Sequence, residues 1–373
     1  MIYLDSAATS FRKPASVEKS MVRALRTMSS PGRGAYTLAM RASDTVYECR
    51  ELIGELFNFK YTERIAFTFN ATHALNIAIA SLARQGEKAV ISGYEHNSVT
   101  RALMASGMDI AVAAAPLFDS KAVLDSFREN LKGAKLAVCN HVSNVFGFIQ
   151  PVYEIAELCR ENGIPLIVDA SQSAGAVPLD AVKLGADFIA MPGHKGLMGP
   201  QGTGVLLCGA EPKPIIYGGT GSDSLSQTMP SYLPDMLEAG THNIPGIAGL
   251  SEGVRYVLKH STEKIGLQEQ YMCRLMQKRL KNIEELELFS GDKSNQAGVL
   301  SLRQRDKGTE KLCEGIGKRG IAARCGLHCA PLAHKTAGTI DTGTLRLSYS
   351  PFISEREVNM AAEIIESEIV HKK

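Results

Sequence analysis

Six short apolar runs, none alternating with polar residues, restrict most strongly the folds open to this chain. Ile65–Phe69, Lys88–Ser92, Lys135–Cys139, Pro165–Asp169, Asp187–Ala190 and Gly204–Leu207 have the length of strands. A strand apolar on both sides has to be covered on both sides. The stretches His73–Ala83, Ala122–Leu131 and Val152–Asn162 supply helices between them. Such alternation predicts an α/β fold with a largely parallel sheet and right-handed crossovers. Ligand-binding groups then gather at the carboxyl ends of the strands.

Downstream the pattern changes. Gly218–Ser222 and Pro230–Pro234 interrupt regular structure. A helical pattern follows Pro245 through Val254–Leu258 and resumes over Gln268–Lys281. Strands near Ala297–Leu302 and Thr344–Ser348, with an amphipathic helix over Ser354–His371, suggest a smaller α+β domain. No internal repeat or low-complexity segment is visible.

A chain of 373 residues is long enough for two domains. Its 41 basic and 39 acidic residues nearly cancel, which gives no reason to expect nucleic acid or an anionic membrane as partner. The first residues lack the charged and apolar regions of a signal peptide, and no apolar run reaches the ~20 residues of a membrane span. Eight cysteines are dispersed without CxxC pairs, so neither a zinc ribbon nor a disulfide framework is expected. Reduced thiols in a cytoplasmic protein are the natural reading, and no metal site is expected.

Two segments carry chemistry. Val168-Asp169-Ala170-Ser171-Gln172 ends a predicted strand, and Gly193-His194-Lys195-Gly196 follows the next one. A lysine in a glycine-rich loop can form a Schiff base with an aldehyde cofactor. A carboxylate at a strand end can keep a pyridine nitrogen protonated, or simply cap the helix that follows. Together they are the two anchors that pyridoxal 5'-phosphate (PLP) requires. Asn70-Ala71-Thr72-His73, between a strand and a helix, offers amides and a hydroxyl to a phosphate.

These motifs, with Arg324-Cys325-Gly326-Leu327-His328-Cys329-Ala330 far downstream, resemble the class V aminotransferase superfamily. Within it they are similar to the cysteine desulfurase and selenocysteine lyase family, group II. The resemblance runs from Tyr3-Leu4-Asp5-Ser6-Ala7-Ala8 to Leu345-Arg346-Leu347-Ser348. It implies a fold-type I PLP-dependent transferase, with a mainly parallel seven-stranded central sheet and a small C-terminal α+β domain. The large domain would span 15–250 and the small one 251–373, with residues 1–14 packing near the latter.

The resemblance also assigns roles. Lys195 is the cofactor lysine and moves protons at the substrate Cα, and Asp169 faces the ring nitrogen. His96 stacks on the ring, Gln172 donates to the ring's phenolate oxygen, and Asn144 lines the same side. Ala71, Thr72 and His194 contact the phosphate. Pro192 stands where relatives place a hydroxyl, so one phosphate contact is expected to be missing. Thr241 and Arg33 match positions that reach the neighbouring subunit, which implies a homodimer.

Arg346 is the candidate for the substrate carboxylate, because a guanidinium fork offers two parallel hydrogen bonds. A surface salt bridge is its alternative role. Arg324 and Asn144 would join it at the substrate. Cys329 is the candidate nucleophile that takes sulfur as a persulfide, with Arg324 and His328 placed to lower the pKa of its thiol. Leu327 replaces the first of two paired histidines. Cys325 is either a second sulfur-relay or resolving thiol, or packing, and the remaining cysteines read as packing.

The activity implied is PLP-dependent conversion of L-cysteine to L-alanine, with a sulfur-acceptor protein downstream. Selenocysteine lyase, a plain aminotransferase and a catalytically silent scaffold are the alternatives.

Overall fold

The computed structural model describes residues 1–32, 34–305 and 308–370. Its first half runs β1 (Ile2–Tyr3), α1 (Ala15–Thr27), α2 (Thr37–Phe57), β2 (Ile65–Thr68), α3 (Ala71–Leu82), β3 (Lys88–Ser92), α4 (Asn97–Ala105), β4 (Asp109–Ala113) and α5 (Ser120–Asn130). Then come β5 (Leu136–Asn140), α6 (Val152–Glu161), β6 (Leu166–Asp169), α7 (Ala181–Leu184), β7 (Phe188–Pro192) and β8 (Gly204–Cys208). The remainder is α8 (Ile244–His260), α9 (Thr262–Leu280), β9 (Leu286–Phe289), β10 (Val299–Gln304), α10 (Glu310–Lys318), β11 (Ile321–Ala322), β12 (Arg324–Gly326), α11 (Pro331–Thr336), β13 (Thr344–Ser348) and α12 (Glu355–Val370).

Seven strands form the central sheet in the order β2-β8-β7-β6-β5-β3-β4. All neighbours from β4 to β7 pair in parallel, while β8 runs antiparallel to both β7 and β2. β2, β5, β6, β7 and β8 are buried at every residue, as their unbroken apolar sequences require. One apolar cluster, containing Phe57, Phe127, Phe148 and Val168, covers one face of this sheet. Another, containing Leu75, Ile79 and Leu206, covers the other. This is the α/β architecture that the sequence implies.

A second sheet, β12-β13-β10-β9, carries its own apolar cluster, which includes Leu300, Leu345, Ile365 and, from the chain start, Ile2 and Leu4. β1 pairs in parallel with β11, and Asp5 bridges to Ser348 at the end of β13. The first residues are therefore stitched beside the last strand. The start of α8 is set by Asn243, which caps it by accepting from the Gly246 amide at 2.9 Å, with Pro245 in the first turn.

The expectation of reduced, dispersed thiols needs one correction. Cys313 on α10 and Cys325 on β12 are disulfide-bonded, with Cα atoms 6.3 Å apart. Sequence spacing could not reveal this, because the pairing depends on α10 packing behind β12. Cys325 is thus neither a free relay thiol nor simple packing, and Cys313 is not inert. Cys49, Cys139, Cys159, Cys208 and Cys273 are free and buried, as expected of packing residues.

Candidate active site

A cavity of about 120 Å³ opens at the carboxyl ends of the parallel strands, where the topology requires ligand groups to gather. Ala71, Thr72, His96, Asn144, Asp169, Gln172, Pro192, His194 and Lys195 all line it. They come from the ends of five strands, β2, β3, β5, β6 and β7, or from the segments that follow them. Residues scattered from 71 to 195 meet there because β2, β3, β5, β6 and β7 all run in the same direction.

Lys195 sits in the turn after β7. The Gly199 amide donates to Gly193 O at 2.8 Å and the Met198 amide to Lys195 O at 2.9 Å, closing the loop. Only glycine fits at 193, since a Cβ there would strike the side chain of Thr203. Burial lowers the Lys195 pKa to about 8, partly opposed by Asp169. Asp169 is buried at the end of β6 and accepts from the Ser171 amide at 2.8 Å.

His96 caps α4 through Nδ1, which accepts from the Ser98 amide at 3.0 Å. That bond leaves Nε2 as the protonated nitrogen of the neutral ring. Burial lowers the His96 pKa, against the pull of Asp169. Beneath these groups Glu95 is fully buried, accepting from Ser92 Oγ and from the Asn140 amide. It ties the ends of β3 and β5 together, and burial raises its pKa to about 8.

Ala71 and Thr72 open α3, whose cap is Asn70 accepting from the His73 amide at 2.9 Å. The unpaired first-turn amides and the helix dipole make this end suited to an anion. His194 Nδ1 lies 3.0 Å from Thr9 Oγ1, and burial lowers the pKa of His194 to about 4. Gln172 donates to Ala7 O at 2.9 Å, so one of its two amide hydrogens is already used by the N-terminal segment. Pro192 offers no hydroxyl.

Arg346, on β13, is 3% exposed. It donates to Asn144 O at 2.9 Å and to Asp5 Oδ1 at 2.9 Å, and its Nε has no partner. Arg324 is its direct cross-strand partner and donates to Asp5 Oδ2 at 3.0 and 3.2 Å. The ion pair of Arg346 with Asp5 is buried, not the surface salt bridge that the sequence offers as its alternative role. Asn144 Nδ2 donates to His328 O at 2.9 Å, while its buried Oδ1 is unpartnered.

Cys329 is an exposed free thiol in the turn after β12. His328 and Cys329 both have left-handed backbone, with φ of 49° and 56°. Asparagines 97 and 144 hold this turn from the large sheet, since the Asn97 amide donates to Cys329 O at 2.8 Å. His328 is not placed as the sequence suggests. Its buried ring faces Thr344, with Nε2 3.0 Å from Thr344 O, and burial drives its pKa down to about 2. A neutral ring lends no positive charge to the Cys329 thiol, and Arg324 is already matched by Asp5.

The two positions expected to reach a neighbouring subunit stand differently. Thr241 is exposed in the loop before α8 and does not line the cavity. Arg33 lies outside the described residues. Conversely, sequence reading missed the roles of Asp5, Thr9 and Ser10. Thr9 Oγ1 and Ser10 Oγ donate to His194 O, at 3.3 and 2.9 Å. Their only signal was an acid and hydroxyls clustered after a two-residue strand.

This arrangement defines a class. The chain belongs to the class-V aminotransferase family, whose model matches residues 2–360. It is 33% identical over 384 residues to a probable cysteine desulfurase of Pyrococcus abyssi, covering 98% of this chain and 94% of that protein. A probable cysteine desulfurase of Methanothermobacter thermautotrophicus is 31% identical over 383 residues, with 98% and 94% covered. Among solved structures, the apo cysteine desulfurase of Thermococcus onnurineus superposes with a TM-score of 0.91 at 31% identity, covering 100% of this chain and 95% of that one. The Escherichia coli cysteine desulfurase CsdA shares the fold, with a TM-score of 0.87 at 24% identity and 99% and 94% covered.

Proposed function

We propose that this enzyme is a PLP-dependent cysteine desulfurase that converts L-cysteine to L-alanine and takes the sulfur on Cys329 as a persulfide. The carrying observation is that one cavity brings Lys195, Asp169 and His96 together, while Asn97 and Asn144 tie the Cys329 turn to its rim. A plain aminotransferase has no need of a thiol held there.

The residues suit PLP. The cavity pairs an amine with a buried carboxylate, ends at a capped helix N-terminus, and contains the unpartnered Asn144 Oδ1. Lys195 would hold the aldehyde carbon, Asp169 the ring nitrogen, His96 the ring face and Gln172 the phenolate oxygen. Ala71, Thr72 and His194 would hold the phosphate, with Thr241 added from a second copy. When bound, the cofactor supplies an electron sink conjugated to the substrate Cα.

The chain's own groups do the rest. Arg346 and Asn144 hold the substrate carboxylate, with Arg324 beside them, and so orient the Cα–H bond. Lys195 Nζ, made less basic by burial, takes the Cα proton and returns one to carbon. Cys329 Sγ, as thiolate, attacks the substrate sulfur. The new S–S bond forms as the Cβ–S bond breaks, and the electron pair left on Cβ is protonated. L-Cysteine and the enzyme thiol thereby become L-alanine and enzyme persulfide, which an acceptor protein then discharges. Cys329, the nucleophile, is a free thiol and stands apart from the Cys313–Cys325 disulfide.

Cys329→Ala tests the reading. The variant should bind L-cysteine as the wild type does, while alanine production and persulfide labelling both collapse. Wild-type turnover by Cys329→Ala would instead establish thiol-independent chemistry.

A further inference from the structure

The proposed carboxylate site already contains a carboxylate. Arg324 and Arg346 stand directly opposite each other on β12 and β13, a like-charge pair that an antiparallel ladder disfavours. Asp5 lies between them. Oδ1 accepts from Arg346 Nη2 at 2.9 Å, and Oδ2 accepts from Arg324 Nη2 at 3.0 Å. The Asp5 backbone is delivered to this position by its bridge to Ser348, by the Ser348 amide donating to Leu4 O at 2.8 Å, and by the Ala7 amide donating to Ser348 Oγ at 2.8 Å.

We propose that Asp5 is a resident competitor for the substrate carboxylate, holding the two arginines when the site is empty and setting how tightly an amino acid is bound. This inference rests on Arg346 being the carboxylate anchor. The geometry carries it further. Arg346 is nearly fully buried and its Nε is unpartnered, so the fork is only partly engaged. A substrate carboxylate completes the fork by adding to Nε and taking over, or sharing, the Nη2 donor that Asp5 occupies. Binding a second anion next to Asp5 costs repulsion that a neutral side chain would not impose. Arg324, about half exposed, has room to turn with Asp5 as the ligand enters, whereas Arg346 is enclosed. Asp5 therefore acts as a positioning and affinity-setting residue, and weak ground-state binding keeps more of the interaction energy for the reacting state.

The test is calorimetric titration of the holoenzyme with L-alanine, which carries the carboxylate and no sulfur, in the wild type, Asp5→Asn, Asp5→Ser and Arg346→Lys. Both Asp5 variants should bind L-alanine about tenfold more tightly, equivalent to ~1.4 kcal/mol. Their binding should also be weakened more steeply by added chloride, because an unbalanced arginine pair recruits anions. Unchanged or weaker L-alanine binding in both variants would overturn the inference. So would failure of both to fold, because Asp5 would then be a structural anchor and not an exchangeable one. Arg346→Lys separates the two levels. If it leaves L-alanine affinity intact, the carboxylate anchor itself is misassigned. If it weakens binding while the Asp5 variants do not strengthen it, only the competitor role is lost.

Discussion

Single side chains at this site are defined by what burial does to their charge. Lys195 is the clearest case, since leaving water disfavours its ammonium form and brings its pKa to about 8. The amine able to accept a proton therefore accumulates as pH rises and is nearly complete above that value. Exchange of the L-alanine Cα hydrogen with solvent deuterium, followed by NMR, should rise from about pH 6 through a midpoint near pH 8 and level off about one unit higher. A flat profile would remove Lys195 from proton transfer. Much at this scale was legible in the sequence. Lys195, Asp169 and His96 sit in compact motifs, and the cavity collects them. Asp5 was not legible, because its meaning comes from two arginines more than three hundred residues away, and His328 was misread because sequence does not show which way a ring faces.

Among the elements, long buried strands were readable and short or edge ones were not. β4 is a partly exposed edge strand of small residues, Asp-Ile-Ala-Val-Ala, and gave no recognisable run. β1, β11 and β12 span two or three residues, too few to show a period. α1 and α2 went unrecognised because α2 keeps Leu38, Met40 and Tyr47 exposed, which blurs its polar face. α9 carries a different penalty. Its Glu269 is buried with no hydrogen bond or ion pair to its carboxyl among the described residues, and burial alone raises its pKa from 4.5 to about 8. Between those values the folded protein holds a proton that the unfolded chain has released, so stability falls as pH rises from about 4.5 to about 8. Glu269→Gln should melt above the wild type at pH 8, with the gap closing towards pH 4.5. An equal gap at both pH values would show that the side chain's shape, not its charge, is responsible.

At the scale of the molecule, the loop that carries Thr241 is fixed to the central sheet by a buried ion pair. Arg50 Nη2 and Glu238 Oε2 are 2.6 Å apart, and Glu238 Oε1 also accepts from the Phe67 amide at 2.7 Å. Removing Arg50 strands a buried carboxylate, so Arg50→Ala should lower unfolding free energy by ~3–5 kcal/mol in denaturant titration. A loss below ~1 kcal/mol would mean that water or His242 compensates. Beside this pair lies a cavity of about 660 Å³ edged by Tyr47, Tyr232 and Pro234, with exposed Tyr36, Leu38 and Met40 nearby on the chain. These exposed apolar residues support a homodimer in which Thr241 reaches a second copy's site. Light scattering at micromolar concentration should give twice the chain mass, and a fully active monomer would contradict it.

The stitching of the chain's start to its last strand has a consequence for synthesis. The Ala7 amide finds its acceptor on Ser348, 341 residues later. On a ribosome, β1 and the Asp5 segment therefore emerge first and wait for β11 and β13 to leave the exit tunnel. The central sheet can close while they wait, since its strands all precede residue 209. Until the final strand arrives, the carboxylate site proposed above lacks Arg346. A stalled nascent chain ending near residue 340 should already protect the central sheet from protease, yet gain no further protection from L-alanine.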